Sequence, residues 1–179
     1  MFSRQFNTSL KRYLPPGVYQ IRLKKARIGD SNEVNKYLTV NEKGTFIVAK
    51  KEEASPGQFR LEYEGGRIIR LSTLEGKYLC EGGSYRLHRR IKYMRFKSHF
   101  KGDAIKFYIK SRKSDNDGQI ITLGYVKYDF TNVQVMGNCI VLERYKVRYF
   151  ENFLSCVLEF QPVGEYSHIY NLSLIYLIS

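Results

Sequence analysis

Lys36-Tyr-Leu-Thr-Val40, then Gly44, then Phe46-Ile-Val48 is the run that sets the architecture, because its grammar returns as Lys77-Tyr-Leu-Cys80, Gly82-Gly83 and Tyr85-Arg-Leu87. Each copy is a pair of short period-two apolar segments broken by turn-forming glycine, which predicts a hairpin. Each is also framed by two further strand-like segments. Val18-Tyr-Gln-Ile-Arg-Leu23 precedes the first copy and Gln58-Phe-Arg-Leu-Glu-Tyr63 follows it. Arg67-Ile-Ile-Arg-Leu71 and Ile105-Lys-Phe-Tyr-Ile109 frame the second. A third pass runs through Gln119-Ile-Ile-Thr-Leu123, Val133-Gln-Val135, Gly137, Cys139-Ile-Val-Leu142 and Val157-Leu-Glu-Phe160. The opening segments begin about 50 residues apart, at Val18, Arg67 and Gln119, and self-similarity at such a period marks a repeat architecture.

Three passes of four short strands predict an all-β chain of twelve strands with no obligatory helix inside the repeats. Strands this short and numerous are expected to close on themselves, because closure removes the sheet edges an open arrangement would expose. A barrel capped by hairpins in threefold repetition is the β-trefoil arrangement. One alternating set is expected to face inward: Ile21, Leu23, Leu38, Val48, Phe59, Ile69, Leu71, Leu79, Leu87, Phe107, Leu123, Val135 and Leu142. The predicted division is an N-terminal extension over residues 1–16, a trefoil domain over 17–163 and a C-terminal tail over 164–179.

Asn35-Lys-Tyr-Leu-Thr-Val-Asn-Glu-Lys-Gly44 and Glu75-Gly-Lys-Tyr-Leu79 resemble the turn motif of fascin-like and fibroblast-growth-factor-like trefoils, in which Asn or Gly, a basic residue, Tyr and Leu precede a glycine. Gly66-Arg-Ile-Ile-Arg-Leu-Ser72 is similar to the strand entering that motif, whereas in the third pass Val133-Gln-Val135 stands where Tyr-Leu would be. The resemblance covers residues 17–163 at the level of repeat grammar. It implies a non-catalytic binding protein, with actin filaments as the fascin-type partner. A ricin-type trefoil is a poor fit, because its Gln-x-Trp signature cannot occur in a chain with no Trp.

The chain of 179 residues carries 30 Lys and Arg against 17 Asp and Glu, a formal net charge of +13. That length is one ordinary domain. The 43% hydrophobic and 15% aromatic content is too high for a disordered chain. The charge is local. Residues 1–29 hold seven basic side chains before the first acid, Asp30, and residues 82–102 hold seven more and no acid. Outside these windows 16 basic residues face all 17 acidic ones over 129 positions. An excess concentrated in this way points to an acidic partner such as a protein surface, nucleic acid or acidic polysaccharide.

In the second window, Arg86, Arg89, Arg90, Lys92, Arg95, Lys97 and Lys101 interleave with aromatics, among them Tyr93 and Phe96. Cations can pair with phosphates or carboxylates while aromatic faces stack. The repeat alignment puts this window on the hairpin between the seventh and eighth strands. A second patch is expected from Lys24, Lys25 and Arg27, in the loop after the first strand, meeting Arg144, Lys146 and Arg148 after the eleventh. The growth-factor resemblance implies heparin-type polysaccharide binding at that pair of regions. Its glycine-rich basic loop is unmatched, which ranks heparan sulfate below the other partners.

No nucleophile with its base, carboxylate pair, metal-ligand cluster or phosphate loop has distinctive spacing, so no enzyme activity, cofactor or metal is expected. Cys80, Cys139 and Cys156 are an odd number without CxxC spacing, and a reducing compartment fits them. Phe2, Phe6, Leu10, Tyr13 and Leu14 recur at helical spacing before Pro15-Pro16-Gly17. That segment reads as a short amphipathic helix, a disordered lead-in or a mitochondrial presequence. No apolar run suits a secretory signal or a transmembrane helix. The expected location is therefore intracellular and cytoplasmic, with the mitochondrion as the alternative. Ile169-Tyr-Asn-Leu-Ser-Leu-Ile-Tyr-Leu-Ile178 is too apolar to hang free and is expected to dock on this domain or on another subunit. The leading expectation is attachment to an acidic protein surface, by resemblance actin, followed by an RNA-binding or ribosome-associated subunit and then a heparin-binding factor.

Overall fold

The computed structural model describes residues 14–27, 30, 34–86, 88–115, 118–127, 131–144 and 155–164. The expected N-terminal helix, the apolar tail, Leu87, Lys146 and Arg148 lie outside them. The described residues form twelve strands: β1 (Gly17–Lys25), β2 (Lys36–Val40), β3 (Phe46–Ala49), β4 (Gln58–Gly65), β5 (Ile68–Thr73), β6 (Tyr78–Tyr85), β7 (His88–Ser98), β8 (Phe107–Asp115), β9 (Gly118–Tyr125), β10 (Thr131–Met136), β11 (Cys139–Arg144) and β12 (Val157–Pro162). The only helical element among them is a single 3-10 turn at Lys101–Asp103. The described residues are thus all-β.

All twelve strands belong to one sheet. β1 pairs with β4, β4 with β5, β5 with β8, β8 with β9, β9 with β12 and β12 with β1, each antiparallel. The hydrogen-bonded path through these six strands thus returns to its start. The remaining six form the hairpins β2–β3, β6–β7 and β10–β11, joined to the path through β1, β5 and β9. Their far strands meet: β11 pairs with both β3 and β7, and Thr45 bridges to Arg95.

Alternation explains the core. Ile21, Leu38, Leu61, Ile69, Leu79 and Phe160 are fully buried, and all lie in a single cluster. Of the residues expected inward, Val135 is only half-buried and packs on that cluster's rim. Leu14, just before β1, is also buried there, and the Tyr19 hydroxyl donates to the Pro15 carbonyl at 2.6 Å.

Gly44 shows why the turn motif needs its glycine. Its φ is +76°, its N–H donates to the Asn41 carbonyl at 2.8 Å, and a Cβ there would lie 2.9 Å from the Phe96 carbonyl oxygen. A left-handed backbone with no room for a side chain predicts that Gly44→Ala costs about 1–3 kcal/mol. Urea unfolding of the variant checks this, and an unchanged midpoint would sink it.

The second repeat departs from expectation. Gly82-Gly83 is not a turn. β6 runs through both glycines to Tyr85, and its register with β7 shifts between Glu81 and Ser84. A Cβ on Gly82 would sit 3.0 Å from the Tyr93 carbonyl oxygen, so the glycine serves a close strand approach at a bulge. The chain reverses around Arg86 instead, whose φ is +43°. Of the segment expected as the seventh strand, Tyr85 ends β6 and Arg86 lies in the turn. β7 is an 11-residue strand occupying most of the second basic window, which had been assigned to the following connection.

Candidate functional site

Because β7 is a strand, its window divides by face. Met94 and Phe96 point into the core at 0% and 4% exposure, and Phe96 packs against Phe46 and Phe59 with ring centroids 5.3 and 5.2 Å away. Phe96, expected to offer a binding face, is a core residue. Tyr93 is half-buried against Tyr85 with centroids 5.1 Å apart, and the Arg95 guanidinium lies 5.9 Å from the Tyr93 ring centre. Arg86 sits over the Tyr85 ring at 5.3 Å. Lys97 and Lys101 are exposed, with Lys101 held 3.0 Å from Glu62.

Arg89, Arg90 and Lys92 gain a companion from a distant part of the chain. β11 pairs with β7 so that Leu142 faces Lys92 and Glu143 faces Ile91, which carries Arg144 to the end of β7 where Arg90 and Arg89 lie. These four cations, with Glu81 and Tyr125, line an open pocket of about 180 Å³. Arg89, Arg90 and Arg144 are exposed. Lys92 is half-buried and its ammonium donates to Ser84 Oγ at 3.0 Å. The Tyr125 hydroxyl donates to Glu81 Oε2 at 3.1 Å, and Lys127 lies 3.9 Å from the same oxygen. On the other side of Glu81 and Tyr125 a larger cleft of about 680 Å³ runs past Lys97, Asp103, Lys106 and Val126. There Lys106 donates to Glu64 at 2.8 Å, which holds the Glu64 carboxyl below the usual carboxylate range.

Arg144 was expected to join Lys24, Lys25 and Arg27, and the structure instead brings it to β7. Lys24 and Lys25 lie within β1 and not in the following loop. Lys24 is buried, its ammonium 3.7 Å from Glu159 Oε1, while Arg22 holds Glu159 Oε2 at 3.4 Å. Lys25 is half-buried and Arg27 exposed. Sequence reasoning missed Glu81 and Tyr125. Glu81 stands one residue before the acid-free window and dropped out of view for that reason. No local pattern marks Tyr125.

The thiols are poor nucleophiles. Burial pushes Cys80 and Cys139 up and Cys156 up to about 12, so little thiolate exists near neutral pH. Among the described residues no group of three His, Cys, Asp or Glu could hold a metal ion, and no helix is long and apolar enough to cross a membrane. No family model matches the chain, and neither does any curated protein.

Proposed function

We propose that the chain is a β-trefoil of fascin-like type and a non-enzymatic binding module. In this reading it attaches through the β7–β11 cations to an acidic macromolecular surface, with an actin filament as first candidate. Three observations support the trefoil reading: the returning six-strand path, the three hairpins spaced along it, and the meeting of β3, β7 and β11. The functional reading is carried by the gathering of Arg89, Arg90, Lys92 and Arg144 around one open pocket in which Glu81 is the single carboxylate among the described residues. Long-range attraction of this kind is steered by charge and weakened by salt. Actin itself rests on the resemblance of the turn motifs.

Sedimentation with filaments at low salt is expected, with release as salt rises. The double substitution Arg89→Glu, Arg90→Glu is expected to weaken binding by about tenfold or more without lowering stability, since both side chains are exposed. A second reading, RNA binding, is favoured by Phe100, 70% exposed beside Lys101 and Lys97, where an unpaired base could stack. RNA affinity would then fall linearly in log–log salt plots. If neither filaments nor RNA retain the protein at low salt, the cationic-module reading fails.

A further inference from the structure

We propose that the β7–β11 pocket takes a phosphorylated polyol, its phosphoryl group held by Arg89, Arg90, Lys92 and Arg144 and a neighbouring hydroxyl donating to Glu81. The proposal deepens the cationic-site reading above and rests on it. Guanidinium and ammonium groups match the oxygens of a phosphate monoester, Arg through its planar fork and Lys as a point charge. Glu81 is what narrows the ligand. A carboxylate among four cations repels an acceptor-only anion such as sulfate or a carboxylate side chain, and offers it no hydrogen bond. A hydroxyl beside the phosphate reverses that, because it donates to the carboxylate. Glu81 has the capacity: Tyr125 and Lys127 both address Oε2, and Oε1 has no partner among the described residues. Tyr125, buried at 6% exposure, holds the carboxylate in place, so the acceptor is positioned before a ligand arrives. The volume of about 180 Å³ equals about six waters at their liquid packing, the scale of one phosphorylated ring.

Such a group is presented either by a soluble inositol or sugar phosphate or by a phosphoinositide headgroup, and the same contacts serve both. Calorimetric titration of the full chain compares inositol monophosphate with sulfate, an anion of similar charge that has no hydroxyl to donate. The inositol ester is expected to bind about tenfold more tightly, the contribution of one hydrogen bond to a charged acceptor. Glu81→Gln is expected to remove that advantage while strengthening sulfate, because a like charge has gone. Arg89→Glu with Arg90→Glu is expected to abolish both, with the thermal midpoint confirming that the variants fold. Flotation with phosphatidylcholine vesicles, with and without phosphatidylinositol phosphate, separates the sources. Retention by the phosphoinositide vesicles assigns a membrane headgroup and binding of the free ester alone assigns a soluble one, either of which supports the proposal. Equal affinity for the ester and sulfate, unchanged by Glu81→Gln, overturns it while leaving the cationic reading intact. Binding of neither anion also overturns it, and persistence of filament or RNA binding then shows that the broader reading survives.

Discussion

Phe96→Ala is expected to lower folding stability by about 3–5 kcal/mol, the range for removing a large aromatic from a packed core. Phe96 stacks on Phe59 with centroids 5.2 Å apart and an interplanar angle of 14°, and Phe46 meets both edge-on at 74° and 84°. These rings come from β7, β4 and β3, so the cavity would open where the first and second repeats join. The loss of edge-to-face and stacking contacts adds to the transfer of the ring. Phe96→Leu keeps most of the volume and is expected to cost clearly less. Urea unfolding with a common slope measures both changes. A Phe96→Ala variant of normal stability but lost partner binding would return Phe96 to the surface role the sequence suggested.

Glu159→Ala is expected to cost about 3–5 kcal/mol, because it strands charge that the fold has already removed from water. Glu159 is 1% exposed, with Lys24 and Arg22 on separate oxygens and Gln161 Nε2 donating to Oε2 at 3.0 Å. Without the carboxylate, buried Lys24 loses the negative charge that Glu159 places 3.7 Å away. Replacing Lys24 and Glu159 together by Met and Leu is expected to recover much of the loss, since a well-packed apolar pair avoids the desolvation of both ions. Denaturant unfolding of the single and double variants closes the cycle. If the double variant is no more stable than Glu159→Ala, the stranded charge is not the cause.

These two residues show where the sequence could be read and where it could not. β2 coincides with the expected Lys36–Val40 segment. β11 and β12 begin where expected, at Cys139 and Val157, and each then runs through three consecutive buried residues. Phe96 shares the strand parity of Met94 and so belongs to the core face, but the cations interleaved with the aromatics mask that parity in the sequence. Glu159 sits between Leu158 and Phe160 and looks like the solvent-facing member of a strand. Its burial follows from Arg22 and Lys24 on a neighbouring strand more than 130 positions away, which no local pattern encodes. The same limit hid the pocket: Arg144 reaches β7 through the register of two strands separated by about 50 residues. Gly82-Gly83 misled for a different reason, since paired glycines serve a bulge as readily as a turn.

The pairing of β1 with β12 runs antiparallel from Tyr19 opposite Pro162 to Lys25 opposite Val157, and the Val163 N–H still reaches the Val18 carbonyl at 2.9 Å. The start of β1 and the end of β12 therefore lie side by side at one corner of the sheet. Tension applied between residues 17 and 163 would load the first rung of that ladder alone and break the rungs in succession, as in a zipper, instead of shearing them together. A module joined to its surroundings at that corner is mechanically compliant, and one gripped across the cations of β7 and β11 would bear load along a different path through the sheet.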